Sequence, residues 1–158
     1  TIANEASLAV YRANSDVIAG VVWLSTLDGR TTDICMARSG KQYTLEGEPV
    51  GHSIPFNGGP PAHWQCRSSL SVKTKTFREL GIDQDELPVG TRASQFGTVP
   101  ADLTFDDFLK RQPEGFADEM LGKGRAELWR KGTITLSQLL DQRGNPLTLQ
   151  QLRARYQN

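Results

Sequence analysis

The sequence has little of several things that would narrow its function. Cysteine occurs twice, at Cys35 and Cys66, and histidine twice, at His52 and His63. Two cysteines are too few for the disulfide framework of a small secreted scaffold. No apolar run approaches the roughly 20 residues that cross a bilayer, so no membrane partner is expected. No amino-terminal signal segment is visible. The chain starts at Thr1 rather than Met, and is therefore expected to be a processed product or the ordered part of something longer. An excess of one charge is missing too: 18 Lys and Arg balance 18 Asp and Glu. That balance argues against strong non-specific attraction to DNA or anionic lipid, which needs uncompensated cations. There is no Gly-Lys-Ser/Thr phosphate loop and no dinucleotide fingerprint. "NGGPP" is glycine-rich, but it does not lie between a strand and a helix. Hydrophobic residues make up 37% of the 158, on the low side for a globular chain, so part of it is expected to pack poorly alone.

What is present reads as an α+β fold, a small mostly antiparallel sheet with flanking helices, an extended arm and a tail of short helices. Residues 4–20 carry Leu8, Tyr11, Val17 and Ile18 at helical spacing, with Gly20 at the stop position. "VVWLST" has the β-branched and aromatic character of a buried strand, and "LDGR" supplies a turn. Thr31 or Thr32 caps a short helix through Ile34, Cys35 and Met36, stopped near Gly40. "KQYTL" predicts a second strand with Tyr43 and Leu45 on one side. Residues 46–62 read as a long loop, and the alternation in "SLSVKTK" predicts a third strand. The expected division is an α+β core over 1–75, an extended arm or linker over 76–103, and a helical tail over 104–158. In the tail, Thr104 is a helix N-cap with Asp106 and Asp107 in its first turn. Pro113 starts a second helix. Leu128 and Trp129 lie on a third closed by Gly132, and Thr148 caps the last. Helices this short are marginal alone and must pack on each other or on a partner.

The residues with chemical potential cluster in the first half. His63 and Cys66 form a His-x-x-Cys turn that can place two ligands on one side, which suits tetrahedral zinc, and Cys35 can be a third ligand. A closed site needs a fourth, for which Asp28, Asp33 and His52 are candidates without diagnostic spacing. Three other readings stay open. Cys35 and Cys66 can be buried hydrophobes, they can pair as a disulfide, or a Cys–His pair can act as a nucleophile, for which no local signature is present. Lys123, Arg125, Arg130 and Lys131 form a basic run that reads first as a solvated helix face and second as a contact for DNA phosphates. Trp23, Trp64 and Trp129 read as core or interface anchors. Asp28 and Arg30 are expected to pair locally across their turn, and Arg67 to satisfy loop carbonyls.

Taken in order, these residues form a longer pattern. Trp23, Asp28, Arg30, Thr31, Ile34, Cys35, Gly40, Lys41 and Tyr43 are followed by Pro60, Pro61, His63, Cys66, Arg67 and Ser68. The pattern resembles the carboxyl-terminal core of phage head morphogenesis proteins, the minor head (minor capsid) proteins like protein F of phage Mu, and the helical tail is similar to the ending of many of them. The resemblance covers most of residues 15–156 and is weakest between about 82 and 100. It implies a structural virion protein rather than an enzyme. Such a protein would act in capsid assembly and in DNA packaging or ejection near the portal. Its partners would be portal or major capsid protein and packaged DNA, with no small-molecule substrate. It would be assembled in the host cytoplasm and reside in the virion head. Some relatives carry two further cysteines, at the places of Thr32 and Ser68, so the resemblance leaves Cys35, His63 and Cys66 as a reduced set for a metal such as zinc, a disulfide or packing. It also implies an arm and helices that fold fully only against partners, with Phe105, Phe108, Phe116, Leu128 and Trp129 buried there.

Overall fold

A computed structural model describes residues 2–156. It shows the α+β class that the sequence predicts. Helix α1 (Ile2–Ala13) precedes strand β1 (Ile18–Leu24), helix α2 (Asp33–Arg38), and the short strands β2 (Gln42–Tyr43) and β3 (Pro49–Val50). Strand β4 (Ser69–Thr74) completes a four-stranded antiparallel sheet in the order β3-β2-β1-β4. Strand β1 is central because its Val and Trp side chains suit burial between two neighbours. Val21 and Trp23 are fully buried, and Leu8 of α1, Cys35, Tyr43 and Leu45 close the core around them.

The first helix is shorter than the spacing suggested. It ends at Ala13, residues 14–17 turn, and Gly20 lies inside β1. Gly20 is therefore no helix stop. A Cβ at that position would sit 2.3 Å from the Tyr43 carbonyl oxygen, so close approach of the neighbouring backbone selects glycine.

The expected arm divides in two. Residues 78–91 are continuously exposed, while strands β5 (Thr91–Ser94) and β6 (Gly97–Pro100) form a hairpin that packs back on the body. Arg92 donates to the carbonyls of Ser25 and Leu103, and the Gln95 N–H donates to the Leu27 carbonyl. Phe96 at the hairpin tip stacks on Phe108 at 6.0 Å and meets Phe116 edge-on at 5.7 Å.

The tail comprises α3 (Phe105–Lys110), α4 (Glu114–Leu121), α5 (Lys123–Arg130), a 3₁₀ turn (Leu136–Leu139) and α6 (Leu149–Tyr156). Thr104 accepts from the Asp107 N–H, and Thr148 and Gln151 exchange bonds as a capping box. These helices pack on one another and share one core with Leu27 and Met36. Phe105, Phe108 and Leu128 are at most 2% exposed within the chain. Their burial is thus internal, which corrects the expectation that a partner would cover them.

The Gly20 constraint is directly measurable. Gly20→Ala is expected to lower the unfolding free energy by about 2–3 kcal/mol in a urea titration, because backbone rather than a flexible side chain blocks the added methyl. Gly115→Ala, whose Cβ meets nothing within 4 Å, is expected to be neutral or slightly stabilising.

Candidate functional site

Helix α2 and the loop that leads into β4 meet at the cysteine–histidine cluster. Thr32 has the extended backbone of an N-cap, yet its hydroxyl makes no cap bond to the helix. It lies 2.8 Å from His63 Nε2 instead. Cys35 follows on the buried side of the helix, where its carbonyl accepts from the Ser25 hydroxyl. Residues 60–68 curl over this helix start. The Cys66 N–H donates to the His63 carbonyl, and Gln65 adopts a positive φ of 57°.

The structure brings the three candidate ligands together. Cys35 Sγ is 3.2 Å from His63 Nε2 and 3.6 Å from Cys66 Sγ, and the three ligand atoms all lie within 4.8 Å of one another. His63 Nδ1 is 2.8 Å from the Trp64 carbonyl, which only accepts. Nδ1 therefore carries the proton, and the Nε2 lone pair faces Cys35 and Thr32. A tetrahedral ion with bonds of about 2.0–2.3 Å spaces its ligands by about 3.3–3.8 Å. The 3.6 Å separation falls within that range and the 3.2 Å one just below it, and a backbone carbonyl orients the ring as is usual behind a metal-ligating histidine. Cys35, His63 and Cys66 thus fit zinc as three ligands. Such an ion would supply a structural tie between α2 and the 60–68 loop.

The suggested fourth ligands lie elsewhere. Asp28 is held by Arg67, Asp33 by Arg125 at 2.6 Å, and His52 bonds the Gln42 carbonyl at 2.8 Å and packs against Tyr43. Thr32 and Ser68 border the cluster instead, beside Cys35 and His63. Burial pushes the Cys35 thiol up to about 11. Burial also pushes Cys66 up, but hydrogen bonds at Ala62, Ser68 and Cys35 outweigh it and hold this thiol below its ordinary value.

Two pairings differ from the sequence reading. Arg30 reaches Asp28 only through its backbone N–H, at 2.9 Å. The guanidinium on Asp28 is that of Arg67, a two-pronged contact joining the 26–30 turn to the loop just after Cys66. Nothing in the linear spacing pairs positions 28 and 67. In the basic run Lys123, Arg130 and Lys131 are exposed, as a solvated helix face would be, and Arg125 is half-buried; Arg125 binds Asp33, Arg130 binds Asp118 at 2.8 Å, and Lys131 binds Glu127 at 2.6 Å. Trp23 is core, Trp129 is part-buried and donates to Asp106, and Trp64 is 90% exposed.

The Arg67 guanidinium, bonded to Asp28, holds that carboxyl below its usual value, with the Arg30 N–H helping and burial opposing. A lowered folded value means the contribution is complete above the unfolded carboxylate value near 3.9 and is lost as pH falls through the folded one. Asp28→Asn is expected to cost about 0.5–1 kcal/mol at neutral pH and nothing at strongly acid pH, read from urea curves across the range. Zinc at about 100 times its Kd is expected to raise the unfolding free energy by about 2.7 kcal/mol, and Cys35→Ser or His63→Gln to remove that gain. No helix among the described residues is long and apolar enough to cross a membrane. Compared with known proteins, the chain matches no family model, no curated protein and no solved structure.

Proposed function

We propose that this chain is a structural protein of a phage head, a minor head protein of the Mu F-like kind. On this reading it acts in capsid assembly and in DNA packaging or ejection near the portal, and turns over no substrate. One observation carries the reading. The pattern that resembles the family predicts two further ligand positions, Thr32 and Ser68, thirty-six residues apart in sequence, and both border the Cys35–His63–Cys66 cluster. Thr32 lies one helical turn before Cys35 and Ser68 two residues after Cys66, so both reach the cluster once Cys35 and Cys66 meet, as the resemblance implies. The space beside Cys35, Thr32 and Ser68 is about 10 Å³, so the cluster is closed on its Cys35 side, which suits a brace better than a metal-dependent nucleic-acid-processing enzyme. The carboxylates of Asp33, Asp118 and Glu127 beside Arg125, Arg130 and Lys131 offset their charge, which favours protein contacts over DNA phosphates.

The docking element in this reading is the exposed stretch 78–91. Leu80, Ile82, Leu87 and Val89 are 37–78% exposed there, interleaved with Glu79, Asp83, Asp85 and Glu86. Exposed apolar side chains in an irregular acidic segment suit a portal or major capsid surface offering apolar pockets rimmed by Lys and Arg. The chain then resides in the virion head after assembly in the host cytoplasm.

The test is incorporation into heads co-assembled with portal and capsid protein. The quadruple variant Leu80→Ser, Ile82→Ser, Leu87→Ser, Val89→Ser is expected to keep its circular dichroism and melting temperature, since these side chains support no core. Its copy number in heads is expected to fall by about tenfold or more. An unmodified chain that binds neither portal nor capsid protein sinks the proposal. DNA affinity that falls steeply with added salt would favour the DNA-contacting reading instead.

A further inference from the structure

We propose that Cys35 and Cys66 are a reversible thiol–disulfide couple, with Cys66 as the entry thiol and Cys35 as the resolving one. The two sulfurs are 3.6 Å apart, about 1.5 Å more than a covalent S–S bond. One partner sits on helix α2 and the other on the irregular 60–68 loop, so a small loop movement closes the gap. Both thiols are free in this structure.

Their exposures differ in the way an exchange reaction needs. Cys35 is 2% exposed and has no room beside it for a second molecule. Cys66 is half-buried and lines a hollow of about 390 Å³ together with Arg30, His63, Trp64 and Arg67. That volume admits one end of a small-molecule disulfide such as oxidised glutathione. The Arg30 side chain, which makes no hydrogen bond among the described residues, faces the carboxylates of such a reagent.

The chemistry balances in two exchanges. The Cys66 thiolate attacks one sulfur of the small disulfide, whose S–S bond breaks, and one glutathione thiolate leaves. Cys35 then attacks the Cys66 sulfur of the mixed disulfide, the bond from Cys66 to glutathione breaks, and the departing glutathione thiolate takes up the proton that Cys35 gives up. The two cysteines lose two electrons and the oxidant gains two. The product joins the loop to α2 covalently, using the sulfur atoms that would otherwise bind a metal ion, so the two ties exclude each other. The inference concerns this cluster and not the docking stretch, so it stands or falls separately from head assembly.

The experiment treats the full chain, stripped of metal with a chelator, with oxidised glutathione, and follows intact mass and free thiols. The unmodified chain is expected to lose two hydrogens in mass and both reactive thiols while remaining a monomer. Cys35→Ser is expected to stop at a single glutathione adduct on Cys66, and Cys66→Ser to react at least about tenfold more slowly, because its remaining thiol is covered. Early quenching of the unmodified chain followed by peptide mapping places the first adduct without relying on either variant. Two persistent thiols, cross-links only between chains, or a first adduct on Cys35 would overturn the proposal.

Discussion

A six-residue helix is buried on every side, and the rest of the molecule is arranged around that constraint. In α2, Cys35, Met36, Ala37 and Arg38 are each at most 2% exposed. Cys35 packs into the sheet core with Trp23 and Tyr43, Met36 into the tail core with Phe105 and Phe108, and Ala37 against Ile54 and Leu140. A helix this short has no stability of its own. It persists because three apolar clusters meet on it, and it also joins them. The cysteine cluster therefore grows from the most constrained segment of the fold, which is why a brace there reaches so much of the chain.

Arg38 shows what this burial demands of a charged group. Its side chain finds no carboxylate among the described residues. The guanidinium donates to the carbonyls of Ile34 and Pro55 and lies 5.4 Å from the Trp23 ring. Carbonyl dipoles and an aromatic face together replace the counter-ion. The satisfaction is incomplete: Arg38 Nε, Trp23 Nε1 and the Tyr43 hydroxyl have no partner among the described residues. Burial pushes Tyr43 up to about 12 while Arg38 pulls the other way. Unpaired polar atoms of this kind cost stability, and the apolar groups around Trp23 offset that cost.

The sequence was legible where local chemistry decides. Alternation marked β4, β-branched and aromatic residues marked β1, and Thr104, Pro113 and Thr148 marked the helix starts. It was less legible where distant backbone decides. Gly20 resembles a helix stop until the Tyr43 carbonyl is known to lie beside it. The β5–β6 hairpin is short and polar, and its strongest clue, Phe96 just before Gly97, gains meaning only from the aromatic rings it covers. At the candidate site, the His-x-x-Cys turn and Cys35 could be read from spacing. The Asp28–Arg67 pair and the distance of Asp33 and His52 from the cluster are properties of the tertiary path. The tail's aromatic residues were recognisable as anchors, but not as anchors for their own chain.

The turn at residues 141–146 has a bearing on how the molecule is made. Asn57 donates to the Arg143 carbonyl, and Gly144 lies so near the buried Arg38 head group that a Cβ there would stand 2.6 Å from it. This lid over the cation belongs to a part of the polypeptide that leaves the ribosome long after β4. A nascent chain ending anywhere before that turn would present a wet, uncovered guanidinium beside Trp23. Burial of the Arg38 head group is therefore complete only once the carboxyl-terminal turn has closed over it.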